Sequence, residues 1–440
     1  MLDFFKCTKE LESKITLWLN HLLVIYAFLI PIHNKSKSSL FFVMLLLFIY
    51  RRNYWFYIKD VLSNKIVQAF LIFYTINVLG FIYTDNLEFA RSSMGHAKYL
   101  LFPLIFLSFL DKRFTIRILT AFSLGIFLSE LVSYLIRFEI LPSTLFFFSH
   151  EVYSTIISDP SPFFNHLDHN IGLAVMVSLL LFQLLNFKLS FIMKVFTLLF
   201  MISATINMTL IGSRTGYVLY IILVIITLLL TYRKNMIKAI LIAMVLLIPI
   251  SYFAYTESSM VNNRVNITIE SMQKIVNEKD YNNSIGLRLG FTKYSLEVIK
   301  NNPIIGVGTG DYMETVYDVI PLEYSYLKDL KQPHNVYIKT LLQLGIFGLV
   351  AFLYIFYSII VYKQTTSLNK GMMLIVTLGT MVVMIPGKFY GFFVLPMFVT
   401  LISVLMVQKE REIQWRNFDF KTGLKYVLCG IIFLLIGVTK

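Results

Sequence analysis

The sequence predicts an all-α, polytopic transmembrane helical bundle of about 12 or 13 spans with one long loop that contains short helices. Two observations carry this prediction. Hydrophobic residues make up 57% of the 440 residues, and the mean hydropathy is +0.72, well above that of a soluble protein of this size. The apolar runs also have the length of helices and lack the alternation of strands.

The runs predicted to be spans are 15–31, 38–50, 65–83, 97–110, 114–137, 170–187, 190–211, 215–232, 237–254, 334–362, 371–386, 389–407 and 424–438. The last run is short, so the count depends on whether it crosses. Residues 138–170 contain no Lys or Arg but several prolines and many aromatic residues. This mixture predicts an interfacial re-entrant loop.

The formal net charge of +14 does not indicate nucleic-acid binding, because the basic residues are dispersed over the joints between apolar runs. Basic joints alternate with neutral or acidic ones, which predicts that the basic joints are cytoplasmic. The basic joints hold Arg51, Arg52, Lys59 and Lys65, then Lys112 and Arg113, then Arg233, Lys234 and Lys238, then Lys363 and Lys370. Residues 255–335 carry eight Lys or Arg and ten Asp or Glu, a balance that favours the outer compartment. We therefore divide the chain into an N-terminal bundle (1–254), an outer loop domain (255–335) and C-terminal helices (336–440).

Several other polar motifs have structural explanations. Gly306–Asp311 is glycine-rich, but no Lys-Ser/Thr pair follows it, so we interpret it as a tight turn rather than a phosphate loop. His166, Asp168 and His169 have metal-ligand spacing without a completing cluster, and no metal site is predicted. Cys7 and Cys429 match no disulfide or redox pattern.

Three residues far apart in sequence are predicted on the same outer side, namely Arg214, Arg288 and His334. Guanidinium groups suit a diphosphate because their fixed fork binds phosphoryl oxygens bidentately. Asn335 is a good N-cap, so His334 lies at a helix start, where the positive end of the dipole favours the neutral, proton-accepting imidazole. Together these groups predict a glycosyl-transfer site that binds a diphosphate leaving group and deprotonates a hydroxyl.

At these residues the chain resembles the O-antigen ligase family, which is related to O-antigen polymerases and bacterial protein O-oligosaccharyltransferases. The resembling segments are Gly212-Ser213-Arg214-Thr215-Gly216, Arg288 through Gly308 and His334-Asn335-Val336-Tyr337 with Leu344-Gly345-Ile346-Phe347-Gly348. The position before the final glycine motif, usually acidic in the family, is Leu344 here, preceded by Gln343.

The resemblance implies a metal-independent, cofactor-free glycosyltransferase of lipopolysaccharide biosynthesis in the bacterial inner membrane. It implies a periplasmic site that takes glycan from an undecaprenyl-diphosphate donor and, in ligases, transfers it to the lipid A core. Carried over by position, Arg214 and Arg288 match the donor-binding arginines and His334 matches the catalytic histidine. Polymerase and protein-glycosylating activities share these motifs, and a lipid-linked glycan flippase or other transporter is the alternative of a different class.

Overall fold

The computed structural model describes residues 9–51, 54–147 and 150–407, and these contain seventeen α-helices. The first nine are α1 (Lys9–Leu29), α2 (Asn34–Tyr50), α3 (Tyr54–Val61), α4 (Lys65–Leu79), α5 (Leu87–Ala97), α6 (Phe102–Leu107), α7 (Thr115–Arg137), α8 (His166–Asn186) and α9 (Phe191–Thr209). The others are α10 (Arg214–Thr231), α11 (Met236–Glu257), α12 (Ser259–Glu278), α13 (Gly286–Asn301), α14 (Tyr312–Val319), α15 (Val336–Val361), α16 (Ser367–Met384) and α17 (Val394–Met406). The predicted all-α bundle is confirmed.

Seven of the described helices are long and apolar enough to cross a membrane, or eight if α3 and α4, bent by 98°, form one span. The chain is thus a multi-pass membrane protein, but this count is lower than the predicted 12 or 13. Helices α2 and α17 have only 17 and 13 residues. The run 97–110 is broken into the 3-10 turn Lys98–Leu101 and the short helix α6, which has a proline in its first turn. The run 424–438 and both cysteines lie outside the described residues.

The segment predicted as a re-entrant loop contains an antiparallel hairpin of β1 (Thr144–Phe147) and β2 (His150–Ser154). The Thr144 and Ser154 hydroxyls are 3.1 Å apart across it. The chain then passes Asp159, whose carboxylate accepts a hydrogen bond from the backbone N–H of Gly212 at 3.2 Å. The hairpin therefore leads directly to the turn before α10.

Residues of the loop 255–335 form a small core together with Leu342 of α15, and it is separate from the main core of the bundle. In α13, Phe291, Tyr294 and Val298 recur at helical spacing and are buried. They pack with Tyr312 and Val316 of α14. These apolar contacts hold the first turn of α13 in a fixed position over the bundle.

The glycine-rich segment 306–311 packs against a break in α15 at Gly345, where φ is +57°. The backbone N–H groups of Val307 and Gly308 donate to the carbonyls of Leu342 and Gln343 at 2.8 and 3.0 Å. Gly308 itself has a φ of +102°, in the region that favours glycine. The tight-turn interpretation is confirmed, and these two N–H groups are already occupied by protein carbonyls.

Candidate active site

The N-termini of three spans meet at one end of the bundle. A Cβ at Gly216, in the first turn of α10, would lie 2.4 Å from Cβ of Asn170 in α8. Between α16 and α17, Gly387 packs on the backbone just before α15, and the adjacent Lys388 contacts Asp168 in the first turn of α8 at 3.6 Å. At the opposite end, Asn186 of α8 donates to Thr231 of α10 at 2.9 Å. Helices α8, α10 and α15 therefore point their N-termini to the same face.

His334 lies immediately outside α15 with a φ of +50°, a left-handed conformation that is uncommon for a non-glycine residue. Asn335 is the N-cap, as predicted, and its side chain accepts from the backbone N–H groups of Tyr337 and Ile338 at 3.0 and 3.1 Å. Because the capping function belongs to Asn335, the His334 imidazole is not needed for it.

The His334 imidazole is partly buried next to two cations. Burial lowers its pKa to about 4, and the positive charges of Arg288 and Lys388 contribute to this shift. We expected the helix dipole to cause such a shift, whereas loss of solvent is the largest cause. No hydrogen bond joins the imidazole to any described residue. His334 therefore presents a neutral nitrogen that is able to accept a proton at pH 7.

Arg288 lies in the first turn of α13, between the other two predicted residues. It interacts electrostatically with both Arg214 and His334. Its side chain is half-buried, and burial lowers its pKa without removing its charge at neutral pH. Within the described part of the chain the guanidinium makes neither a hydrogen bond nor an ion pair. Its five N–H donors are therefore available to a ligand.

Arg214 is the first residue of α10 and is positioned by two hydroxyl groups of the loop 255–335. Its Nη1 donates to Oγ1 of Thr268 at 3.2 Å and its Nη2 to Oγ of Ser284 at 2.9 Å. The hydroxyl of Ser213 caps α10 by accepting from the N–H of Gly216. These contacts fix the direction of the guanidinium relative to α12 and α13, and no carboxylate of the described residues forms an ion pair with it.

Two further cations stand beside these residues, and we did not predict either as part of the site. Lys388 contacts Asp168 at 3.6 Å and acts electrostatically on His334. Arg264 of α12 packs on Gly212 and acts electrostatically on Arg214. A sequence signal existed for the second, because Arg264 and Arg288 are the two arginines of residues 255–335. The site is thus strongly cationic and suited to an anionic ligand.

No cluster of three His, Cys, Asp or Glu side chains able to hold a metal ion occurs in the described ranges. His169, considered above for its spacing, instead contacts the hydroxyl of Ser129 at 3.2 Å and the side chain of Asn207 at 3.0 Å inside the bundle. Both of its ring nitrogens therefore make polar contacts with neighbouring helices.

The family comparison agrees with this arrangement. Residues 196–353 match the family model described as O-antigen ligase. The matched region includes Arg214, Arg264, Arg288 and His334 and therefore most of the site. No curated protein matches the chain. Over these residues, about a third of its length, the chain is similar to the O-antigen ligase family.

Proposed function

We propose that this protein transfers O-antigen-type glycan from an undecaprenyl-diphosphate donor to the lipid A core at the periplasmic face of the inner membrane. The observation that carries the proposal is the neutral imidazole of His334 beside the guanidinium of Arg288, neither of which is paired with another described residue. A base and an anion-binding group next to each other are what transfer from a diphosphate requires.

In the proposed reaction, the acceptor hydroxyl oxygen attacks the anomeric carbon of the donor glycan. A new carbon–oxygen bond forms to the acceptor, and the bond between the anomeric carbon and the phosphate oxygen breaks. The electron pair of that bond leaves with undecaprenyl diphosphate, whose added negative charge Arg214 and Arg288 stabilise. The hydroxyl proton passes to His334. These residues supply the base and the positive charge, so we infer a metal-independent reaction.

The location of the charges favours an enzyme over a transporter. In secondary transporters, substrate and ion sites lie near the bilayer midplane, between repeats. Here Arg214 and His334 are at helix starts on one face of the bundle, and Arg288 belongs to the loop that covers that face. This arrangement supports chemistry at a membrane surface.

The role of His334 is tested by transfer assays with purified donor and acceptor. A positioned base contributes about 10²- to 10⁴-fold, so we expect His334→Ala to lose about 3 to 5 kcal/mol of transition-state stabilisation. Donor binding should survive because both arginines remain. A His334→Ala enzyme with wild-type turnover would refute the assignment.

The acceptor is tested by the lipopolysaccharide profile of a deletion strain. A ligase defect leaves lipid A core without polymer and accumulates undecaprenyl-linked polymer. Capping of the core by single repeats would instead identify a polymerase, and an unchanged lipopolysaccharide with loss of glycoproteins would identify a protein-glycosylating enzyme. Complementation with His334→Ala, at matched protein levels, serves as the catalytic control.

A further inference from the structure

The sequence did not indicate Arg264 as a site residue, yet its guanidinium lies at the site. Arg264 lies on α12, half-buried, and no carboxylate of the described residues forms an ion pair with it. The carboxylate of Asp159 also lies next to Gly212 and accepts a hydrogen bond from its backbone N–H. Arg264 and Arg214 are close enough to interact electrostatically, and no described carboxylate, that of Asp159 included, forms an ion pair with either.

The approach of Arg264 depends on the glycine at position 212. A Cβ on Gly212 would lie 2.7 Å from Nη2 and 2.8 Å from Nε of Arg264, closer than van der Waals contact allows. The guanidinium is the free end of a long side chain, so a larger residue at 212 would displace it without disturbing the backbone. The Gly212-Ser213-Arg214 turn thus positions two guanidinium groups. It contains Arg214 itself, and the missing side chain of Gly212 leaves room for the guanidinium of Arg264.

These two arginines stand at the polar end of an apolar cavity of about 390 Å³ between α9, α10, α11 and α12. They are the charged residues among the described residues that line it, and the rest of the lining is mostly apolar. The cavity adjoins a second one of about 910 Å³, with which it shares Thr209, Tyr220 and Ala254. The smaller cavity, apolar and with two cations in its lining, matches a lipid chain that carries an anionic head.

We propose that Arg264 binds the donor diphosphate together with Arg214, at the entrance of the cavity that receives the adjoining isoprenoid units. The proposal rests on the proposed function and adds a third guanidinium to the two predicted ones. Arg288 would then bind the diphosphate from the side of His334, and Arg264 from the side of the lipid.

The test measures binding of undecaprenyl diphosphate, without glycan, to the purified full-length protein in nanodiscs. Loss of charge-assisted hydrogen bonds should raise the Kd of Arg264→Ala about 10- to 100-fold. Lys274→Ala, an exposed cation on the same helix, is the matched control and should bind like the wild type. Undecaprenol, which lacks the diphosphate, should show no difference between the variants.

A second variant tests the geometry without removing the charge. Gly212→Ala should also weaken binding, and the loss should vanish in the Arg264→Ala background because the methyl group acts by displacing that guanidinium. Equal binding by wild type and Arg264→Ala overturns this inference alone. If wild type itself does not bind undecaprenyl diphosphate, the proposed function fails with it.

Discussion

Gly387 and His334 are in backbone contact although they belong to different connections of the bundle. A Cβ at position 387 would lie 2.6 Å from Cα of His334 and 2.7 Å from its carbonyl carbon. Gly387 also has a φ of +90°. The turn between α16 and α17 therefore supports the left-handed conformation of His334, and only glycine fits there.

This contact predicts that Gly387→Ala impairs catalysis. The strained φ alone costs about 1–2 kcal/mol, and the methyl group would push the backbone of His334 away. Because a displacement of about 1 Å at a reacting group can cost about 100-fold, we expect a loss of that order in transfer rate. Gly391→Ala is the matched control, since a Cβ there meets no atom within 4 Å. Equal rates for the two variants would show that the turn does not position His334.

The environment of His334 predicts that the acid limb of the pH–rate profile lies at an unusually low pH. With a pKa lowered to about 4, the imidazole remains a base until the pH falls through that value. The wild-type kcat/KM should therefore stay level below pH 6 and fall near pH 4. An acid limb near 6.5, the pKa of an unperturbed histidine, would contradict the burial and charges seen here.

Replacing the neighbouring cation should move that limb. A positive charge disfavours the imidazolium, so Arg288→Gln should raise the pKa of His334 and shift the acid limb of the residual activity to higher pH. Lys388→Gln should act in the same direction. Arg113→Gln, which breaks an exposed ion pair with Asp111 away from the site, should leave the limb unchanged. Nuclear magnetic resonance of the labelled imidazole measures the same pKa independently of turnover.

The hydroxyl contacts of Arg214 predict that lysine is no substitute. An ammonium group at this position cannot donate to Thr268 and Ser284 together in the geometry of the guanidinium fork, nor bind a diphosphate bidentately. We expect Arg214→Lys and Arg288→Lys each to lose most transfer activity at normal protein levels. Full activity in both variants would leave these arginines as interfacial anchors only.

The predicted topology is tested by labelling with an impermeant thiol reagent in intact cells. The two native cysteines are first replaced by serine. A cysteine at Asn282, in the loop 255–335, should then be modified, and one at Asn235, beside Lys234, should not. Labelling at 235 without labelling at 282 would reverse the orientation of the whole chain.

Much of this molecule follows from local sequence. The apolar runs predict the helical bundle, since a backbone in lipid must satisfy its hydrogen bonds within the helix. Asn335 as an N-cap and the spacing of Phe291, Tyr294 and Val298 were equally readable, because capping and helical periodicity depend on neighbours a few residues apart. The glycine-rich turn at Gly308 was predicted for the same reason.

Only the tertiary structure determined which distant segments contact one another and how they bury and polarise each other's side chains. The sequence indicated Arg214, Arg288 and His334 but not their shared environment, because burial and charge between residues 46 to 120 apart depend on how α10, α13 and α15 are packed. The sequence contains no periodic pattern that indicates the contact of Gly387 with His334 or that of Arg264 with Gly212. The same holds for the hairpin of β1 and β2, whose short strands lie in a segment too irregular in pattern to predict. Such contacts are set by the closure of the whole chain, and local preferences do not specify them.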